Sequence, residues 1–118
     1  MDWQTIYRHL TNGGFDVYTL GQHKGVCVSP YIVLRNNGCI RPGALELALY
    51  ELLLYCPVDQ YSRFESFIHS VEAHMNTLFP TAKLVDGPGI HYLDENVRGY
   101  MTSLTYQCPL VTNLNQIK

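Results

Sequence analysis

Apolar residues recur at Trp3, Ile6, Tyr7 and Leu10, the i, i+3, i+4, i+7 spacing of an amphipathic helix, so a short helix is predicted over Asp2–Thr11. Asn12-Gly13-Gly14 ends it, because asparagine and glycine accept the left-handed backbone that closes a helix. The period then drops to two. Phe15–Leu20 predicts a first strand and Val26–Arg35 a second, with Val26, Val28, Ile32 and Leu34 on one face and Cys27, Tyr31 and Val33 on the other. Pro30 has no N–H to give a ladder, so the second strand should be bulged or unpaired there. Asn36-Asn37-Gly38 is a turn signal, and Cys39–Ala44, with Pro42-Gly43, lengthens it into a protruding loop over Asn36–Ala44.

Leu45–Tyr55 admits two readings. Its leucines, alanine and glutamates favour helix by propensity, whereas an apolar run bounded by Gly43 and Pro57 also fits a buried strand. Strand is preferred, because it completes a long hairpin with Val26–Arg35, and apolar residues on both sides suit a sheet covered on both faces. Gln60–Leu78 is a helix with Asp59 as its N-cap. Tyr61, Phe64, Ile68, Val71, Met75 and Leu78 form its stripe, Phe67 lies beside it, and Pro80 ends it. Asp86-Gly87-Pro88-Gly89 is a turn, Ile90–Leu93 a short strand, Asp94-Glu95-Asn96 another turn, and Arg98–Cys108 the last long strand. The order α-β-β-β-α-β-β predicts one α+β domain over residues 1–110, with a mainly antiparallel central sheet flanked by two helices. Residues 111–118 form a C-terminal tail.

Composition narrows the partners. The chain has 118 residues, of which 47% are hydrophobic and only 15% charged. That is enough apolar material for one core, while the low charge and nine tyrosines fit a surface partly hidden in an assembly. Lys and Arg are scattered singly in a net charge of −2, without the basic stripe of a nucleic-acid binder. No apolar run approaches the roughly 20 residues of a membrane span. The acidic, amphipathic start MDWQTIYRHL is unlike a secretory leader, so a cytosolic setting is expected. Cys27, Cys39, Cys56 and Cys108 lie 12, 17 and 52 residues apart with no C-x-x-C pair. They read as small, mostly buried hydrophobes in a reducing compartment, with disulfides as the alternative.

Candidate chemistry is sparse. Gly21-Gln22-His23-Lys24-Gly25 resembles a phosphate cradle only superficially: the spacing is wrong for a P-loop and a strand follows instead of a helix. His69 and His74 are five apart and fall on different sides of a helix, so the histidines read as scattered surface residues and no metal site is expected. Cys27 with a histidine is the one nucleophile pairing left open. Glu46 and Glu51, or Asp94 and Glu95, read as solvated or interface carboxylates. Glu51, set among leucines, needs a partner if its strand is covered, and Arg35 on the facing strand is one.

The succession "MDWQTIYRHLTNGGFDVY", "GQHKGVCVSPYIVLRNNG", "YELLLYCPVDQYSRFESFIHSVEAHM" and "DGPGIHYLDENVRGYMTSLTYQCPL" resembles the tail terminators of contractile-tailed phages of Gram-positive bacteria. These are small head–tail connection proteins that also occur in headless phage-tail-like bacteriocins. The resemblance runs to about Leu110 and rests on element order and loop chemistry. It implies an α/β domain with a central sheet and flanking helices, without catalytic activity or cofactor. It also implies a ring, typically sixfold, that caps the tail tube and offers a docking surface to the sheath end and to a neck or head-completion protein. Such a subunit assembles in the bacterial cytoplasm and ends in the virion, where DNA can pass through the ring without specific binding; no membrane is involved. Contacts with neighbouring subunits or tail proteins are expected at Gln22, His23 and Lys24, at Asn37, Cys39, Ile40 and Arg41, and in the tail at Leu110, Leu114 and Ile117. Two other readings stay open: another neck component, such as a head-completion or stopper protein, and a small enzyme or ligand-binding domain.

Overall fold

The computed structural model describes residues 1–23, 25–41, 43 and 45–109. Its first helix, α1 (Trp3–Asn12), is capped by Asp2, whose carboxylate accepts from the Thr5 backbone N–H at 2.9 Å and the Thr5 hydroxyl at 2.7 Å. These bonds to Thr5, the side-chain one first, hold the Asp2 carboxyl below its usual range. At the far end the Gly13 N–H returns to the His9 and Leu10 carbonyls, and Gly14 follows at φ +89°. The glycine stop read from the sequence is therefore used as expected.

The strands are β1 (Val17–Tyr18), β2 (Tyr31–Ile40), β3 (Leu47–Pro57), β4 (Lys83–Asp86), β5 (Tyr92–Asp94) and β6 (Gly99–Pro109), with α2 (Phe64–Asn76) between β3 and β4. They form one six-stranded sheet in the order β1-β2-β3-β6-β4, and β5 pairs with β6. Every pairing is antiparallel except that of β1 with β2. The architecture is a two-helix, mainly antiparallel α+β domain. The segment open to two readings, Leu45–Tyr55, is strand from Leu47 onward and sits at the sheet's centre between β2 and β6.

Alternation along the strands sends Ile32, Leu34, Leu52, Leu54 and Leu104 to one face, where they meet Ile6 and Leu10 of α1 and Phe64, Ile68, Val71 and Met75 of α2. The Trp3 indole N–H reaches the Leu34 carbonyl at 3.2 Å and fastens α1 to β2. The stripe expected on the second helix is thus core, apart from Tyr61, which is exposed, and Leu78, which is half-buried.

Several expectations are corrected. Among the described residues the sheet is not covered on both faces: both helices pack on the same side, and Glu51, Leu53, Tyr55 and Met101 on the other stay half-buried. The strand expected over Val26–Arg35 begins only at Tyr31, because Pro30 cannot donate and the Cys27 N–H is spent on the Val97 carbonyl at 2.6 Å. The protruding loop expected over Asn36–Ala44 is instead strand through Ile40. Asn37-Gly38 forms a bulge and not a turn, with Gly38 at φ +86° and its N–H held by Asn36 Oδ1 at 2.7 Å, so pairing resumes at Cys39 with Ala48. Pro42 and Ala44 lie outside the described residues.

Asp59 is not the N-cap of the second helix. A 3₁₀ segment, Val58–Arg63, kinked at Gln60, comes first, and α2 starts at Phe64 without a side-chain cap. Lys83–Asp86, passed over in the sequence, is a strand, so the observed order has three strands after α2 instead of two. Three cysteines are buried as expected, whereas Cys39 is exposed, and all four are free thiols.

Candidate assembly interface

The distal half of the β2–β3 hairpin carries the first group of expected contact residues. Asn36 to Arg41 are all exposed. Within the hairpin Arg35 faces Glu51 directly across the ladder, with Arg35 Nη2 3.0 Å from Glu51 Oε1, and the two side chains are 42% and 16% exposed. Asn37 extends this pair: its Oδ1 accepts from Arg35 Nε at 2.9 Å and its Nδ2 donates to Glu51 Oε1 at 3.4 Å. The partner read for Glu51 from the sequence is therefore present, although its face of the sheet is open. Nearer the tip, Arg41 pairs with Glu46, and Ile40 is 43% exposed.

The second group lies in the loop after β1. Gln22 is exposed and closes the loop on itself, accepting from the Thr19 N–H at 2.8 Å while its own N–H donates to the Thr19 carbonyl at 3.1 Å. His23 is half-buried, stacked on Tyr31 with ring centroids 3.8 Å apart and set edge-on to Tyr18 at 4.9 Å. Tyr31 stacks in turn on Tyr55 at 4.7 Å. His23 is thus a lid over a small aromatic cluster on the open face, and its Nδ1 is buried without a hydrogen-bond partner among the described residues. Lys24 lies outside the described residues, as do Leu110, Leu114 and Ile117.

The structure does not bring these groups together. The hairpin tip lies beyond the Leu47 end of β3, whereas the loop is tied through Cys27 and Val97 to the opposite end, where Pro57 meets Gly99. The molecule measures 53 × 25 × 25 Å, so the two regions are separate surfaces.

Histidine placement departs from the sequence reading, whereas Cys27 is buried as that reading has it. His9, His23, His74 and His91 are half-buried, and only His69 lies fully on the surface. His9 and His74 stack on one another, and His91 Nδ1 lies 2.8 Å from the Tyr61 hydroxyl. No group of three metal-ligating side chains occurs among the described residues. Cys27 donates to the Ser29 carbonyl at 3.4 Å, and burial, with Cys56 nearby, pushes its thiol up to about 11. At neutral pH it is a protonated thiol and a weak nucleophile.

Sequence reasoning missed a surface at the Pro57–Gly99 end. Val26 and Val28, which the period of two puts on one strand face with Ile32 and Leu34, are exposed, Val28 to 76%, as are Val58 and Leu93. The signal was Pro30, which ends the strand register that would have buried them. Two adjoining grooves of about 530 and 320 Å³ share Val58 and Arg98 as walls. Arg98 holds φ +54°, unusual for a residue with a Cβ. Compared with known protein families, curated proteins and solved structures, the chain matches none.

Proposed function

We propose that the protein is a structural subunit of a phage tail or phage-tail-like particle, a terminator that forms a ring on the end of the tail tube. The observation that carries this reading is the incomplete cover of the sheet. Among the described residues one face has no helix on it, and the β2–β3 hairpin carries exposed Asn36–Arg41 away from the core. Strand edges and half-apolar sheet faces are commonly covered by another chain, and a ring supplies that cover from identical neighbours. The succession of sequence segments that resembles tail terminators supports the same reading. In it the ring is sixfold and meets the tube below, the sheath at its rim and the neck above, with no cofactor.

Electron microscopy of particles made with and without the protein tests the reading. Tube or sheath of uncontrolled length is expected in its absence. Deleting Cys39 to Gly43 should give a folded chain that no longer caps tails. Normal tail lengths without the protein would overturn the terminator reading, and density for the subunit away from the tube end would make it another neck component.

A further inference from the structure

Both outer edges of the sheet are open along part of their length. β1 covers β2 only at Ile32 and Val33, and the Trp3 indole takes the Leu34 carbonyl. From Asn36 to Ile40, all exposed, no strand lies outside β2 among the described residues. On the far side β4 is the last strand, with Lys83, Val85 and Asp86 exposed. The two open stretches are level across the sheet. Asp86 pairs with Thr105, Thr105 with Glu51, and Glu51 with Arg35, so these four residues form one row. Lys83, Gln107 and Leu49 form a second row, which ends at the uncharged Asn37-Gly38 bulge. Partners across a ladder share a face, so Asp86 and Arg35 both lie on the open one. Three antiparallel pairings separate β2 from β4, and the two edge strands therefore run in opposite directions.

We infer that β4 of one copy of the chain adds to the open edge of β2 in a second copy, extending the sheet, with Asp86 of one beside Arg35 of the other. An unpaired strand edge is a template for another strand. Moving a copy sideways by the width of the sheet, along its twist and without sliding along the strands, brings β4 to β2 antiparallel. In that register the row simply continues, from Arg35 to the next Asp86. Arg35 uses Nε on Asn37 and Nη2 on Glu51, and its side chain is 42% exposed. A guanidinium has five N–H donors, so it can take a second carboxylate. Asp86 has no hydrogen-bond or ion-pair partner among the described residues. Opposite charges directly across a ladder stabilise it and fix its register. Bulges at Asn36–Cys39 and Leu84–Asp86 keep the new ladder short. The contact is heterologous, one edge from each partner, and repeats into a closed ring or an open filament. The inference rests on the ring reading in that it names the edges such a ring would join.

The test uses the full chain with Cys39→Ser, which removes the exposed thiol, and adds Arg35→Cys, Asp86→Cys or both. Native mass spectrometry reads assembly, and circular dichroism and melting establish that each variant folds. A short bismaleimide then joins thiols on adjacent strands. Within one chain the two positions are three strand spacings of about 4.8 Å apart, beyond the reach of the linker. The chain with both cysteines should give a ladder of dimers, trimers and larger species. A mixture of the two single variants should stop at two chains, because each such pair has one cysteine on either side of a single contact. Loss of assembly in a folded single variant supports the contact through the missing charge pair. Asp86→Arg should likewise fold and stay monomeric where wild type assembles. Cross-linking of Arg35→Cys alone would mean that β2 meets β2, and of Asp86→Cys alone that β4 meets β4; either overturns the inference. An assembled double variant without cross-links, or an Asp86→Arg chain that assembles like wild type, would also overturn it and leave the ring reading standing. Wild-type protein that stays monomeric at millimolar concentration would overturn both.

Discussion

His9 and His74 stack ring on ring, with centroids 4.0 Å apart, and each meets the other's backbone carbonyl through Nε2, at 2.9 Å for His9 and 2.6 Å for His74. They sit in the last turns of α1 and α2, where the His9 carbonyl also accepts from the Gly13 N–H and the His74 carbonyl from the Thr77 N–H and hydroxyl. Each ring therefore adds a further bond at the other helix's end and ties the two ends together, and donation requires a hydrogen on both Nε2 atoms.

Gly13 lies against this pair, and a Cβ there would come within 2.6 Å of the His74 ring. Gly13→Ala should displace the ring and cost about 1–3 kcal/mol, as overpacking does. His74→Ala should cost about 0.5–1.5 kcal/mol through the lost ring hydrogen bond to the His9 carbonyl, which keeps its bond from the Gly13 N–H. In the His74→Ala background, Gly13→Ala should cost almost nothing, and a double-mutant cycle by urea denaturation measures the coupling. Equal costs in both backgrounds would mean the ring does not occupy that space.

The α2 stripe is core, with Phe64 wholly buried and Ile68 nearly so. Phe64→Ala or Ile68→Ala should destabilise the domain by roughly 2–5 kcal/mol, whereas Tyr61→Ala, at an exposed position, should cost much less. Unchanged melting of the Phe64 variant would place the stripe outside the core.

Alkaline pH should weaken the fold through Cys27. Its thiol is raised from 9.0 to about 11, chiefly by burial and then by Cys56. The unfolded chain loses this proton first, so the contribution is complete below about 9 and disappears as pH rises to about 11. Tyr31, also raised by burial, acts in the same direction. Urea midpoints should fall across this window, less steeply in Cys27→Ala. In native protein near pH 8, iodoacetamide should modify exposed Cys39 well before Cys27, Cys56 and Cys108; equal labelling would contradict the burial.

The Arg35–Glu51 pair is partly exposed, so as a cross-strand pair it should contribute only about 0.2–1 kcal/mol to the isolated chain. Glu51→Gln measured by denaturation in low and high salt checks this. A loss above about 2 kcal/mol would indicate that the open face is covered in solution and the pair desolvated.

The long elements α1, α2 and β6 are legible because ten to thirteen residues of one repeat place each within a few positions, whereas β3 has no single period and rests on the topology of its hairpin with β2. What stayed hidden depends on distant partners. Gly38 reads as a turn because only the continued pairing of Cys39 with Ala48 reveals a bulge. Lys83–Asp86 is too short to show a period and becomes a strand through β6. The two-sided apolar pattern of Leu47–Pro57 implies cover on both faces, whereas among the described residues one face meets the helices and the other remains open. Among the contact residues expected from sequence, Asn37, Cys39, Ile40 and Arg41 do lie on an exposed hairpin, but His23 turns inward onto Tyr31. The valine groove escaped notice because nothing local in Val26-Cys27-Val28 tells an exposed valine from a buried one.

The central position of β3 also fixes a schedule. Its pairing with β2 is local, but its partners on the other side lie far ahead in the chain, from 42 residues for Pro57 with Gly99 to 62 for Leu47 with Pro109. During synthesis β3 therefore emerges and closes its hairpin while its second edge, with Leu52 and Leu54 beside it, waits for the last strand to leave the ribosome. Distant pairings of this kind slow folding and leave apolar edges open to wrong partners in the interval. A chain stopped before Gly99 has every residue of both helices and still lacks the strand that closes the middle of its sheet.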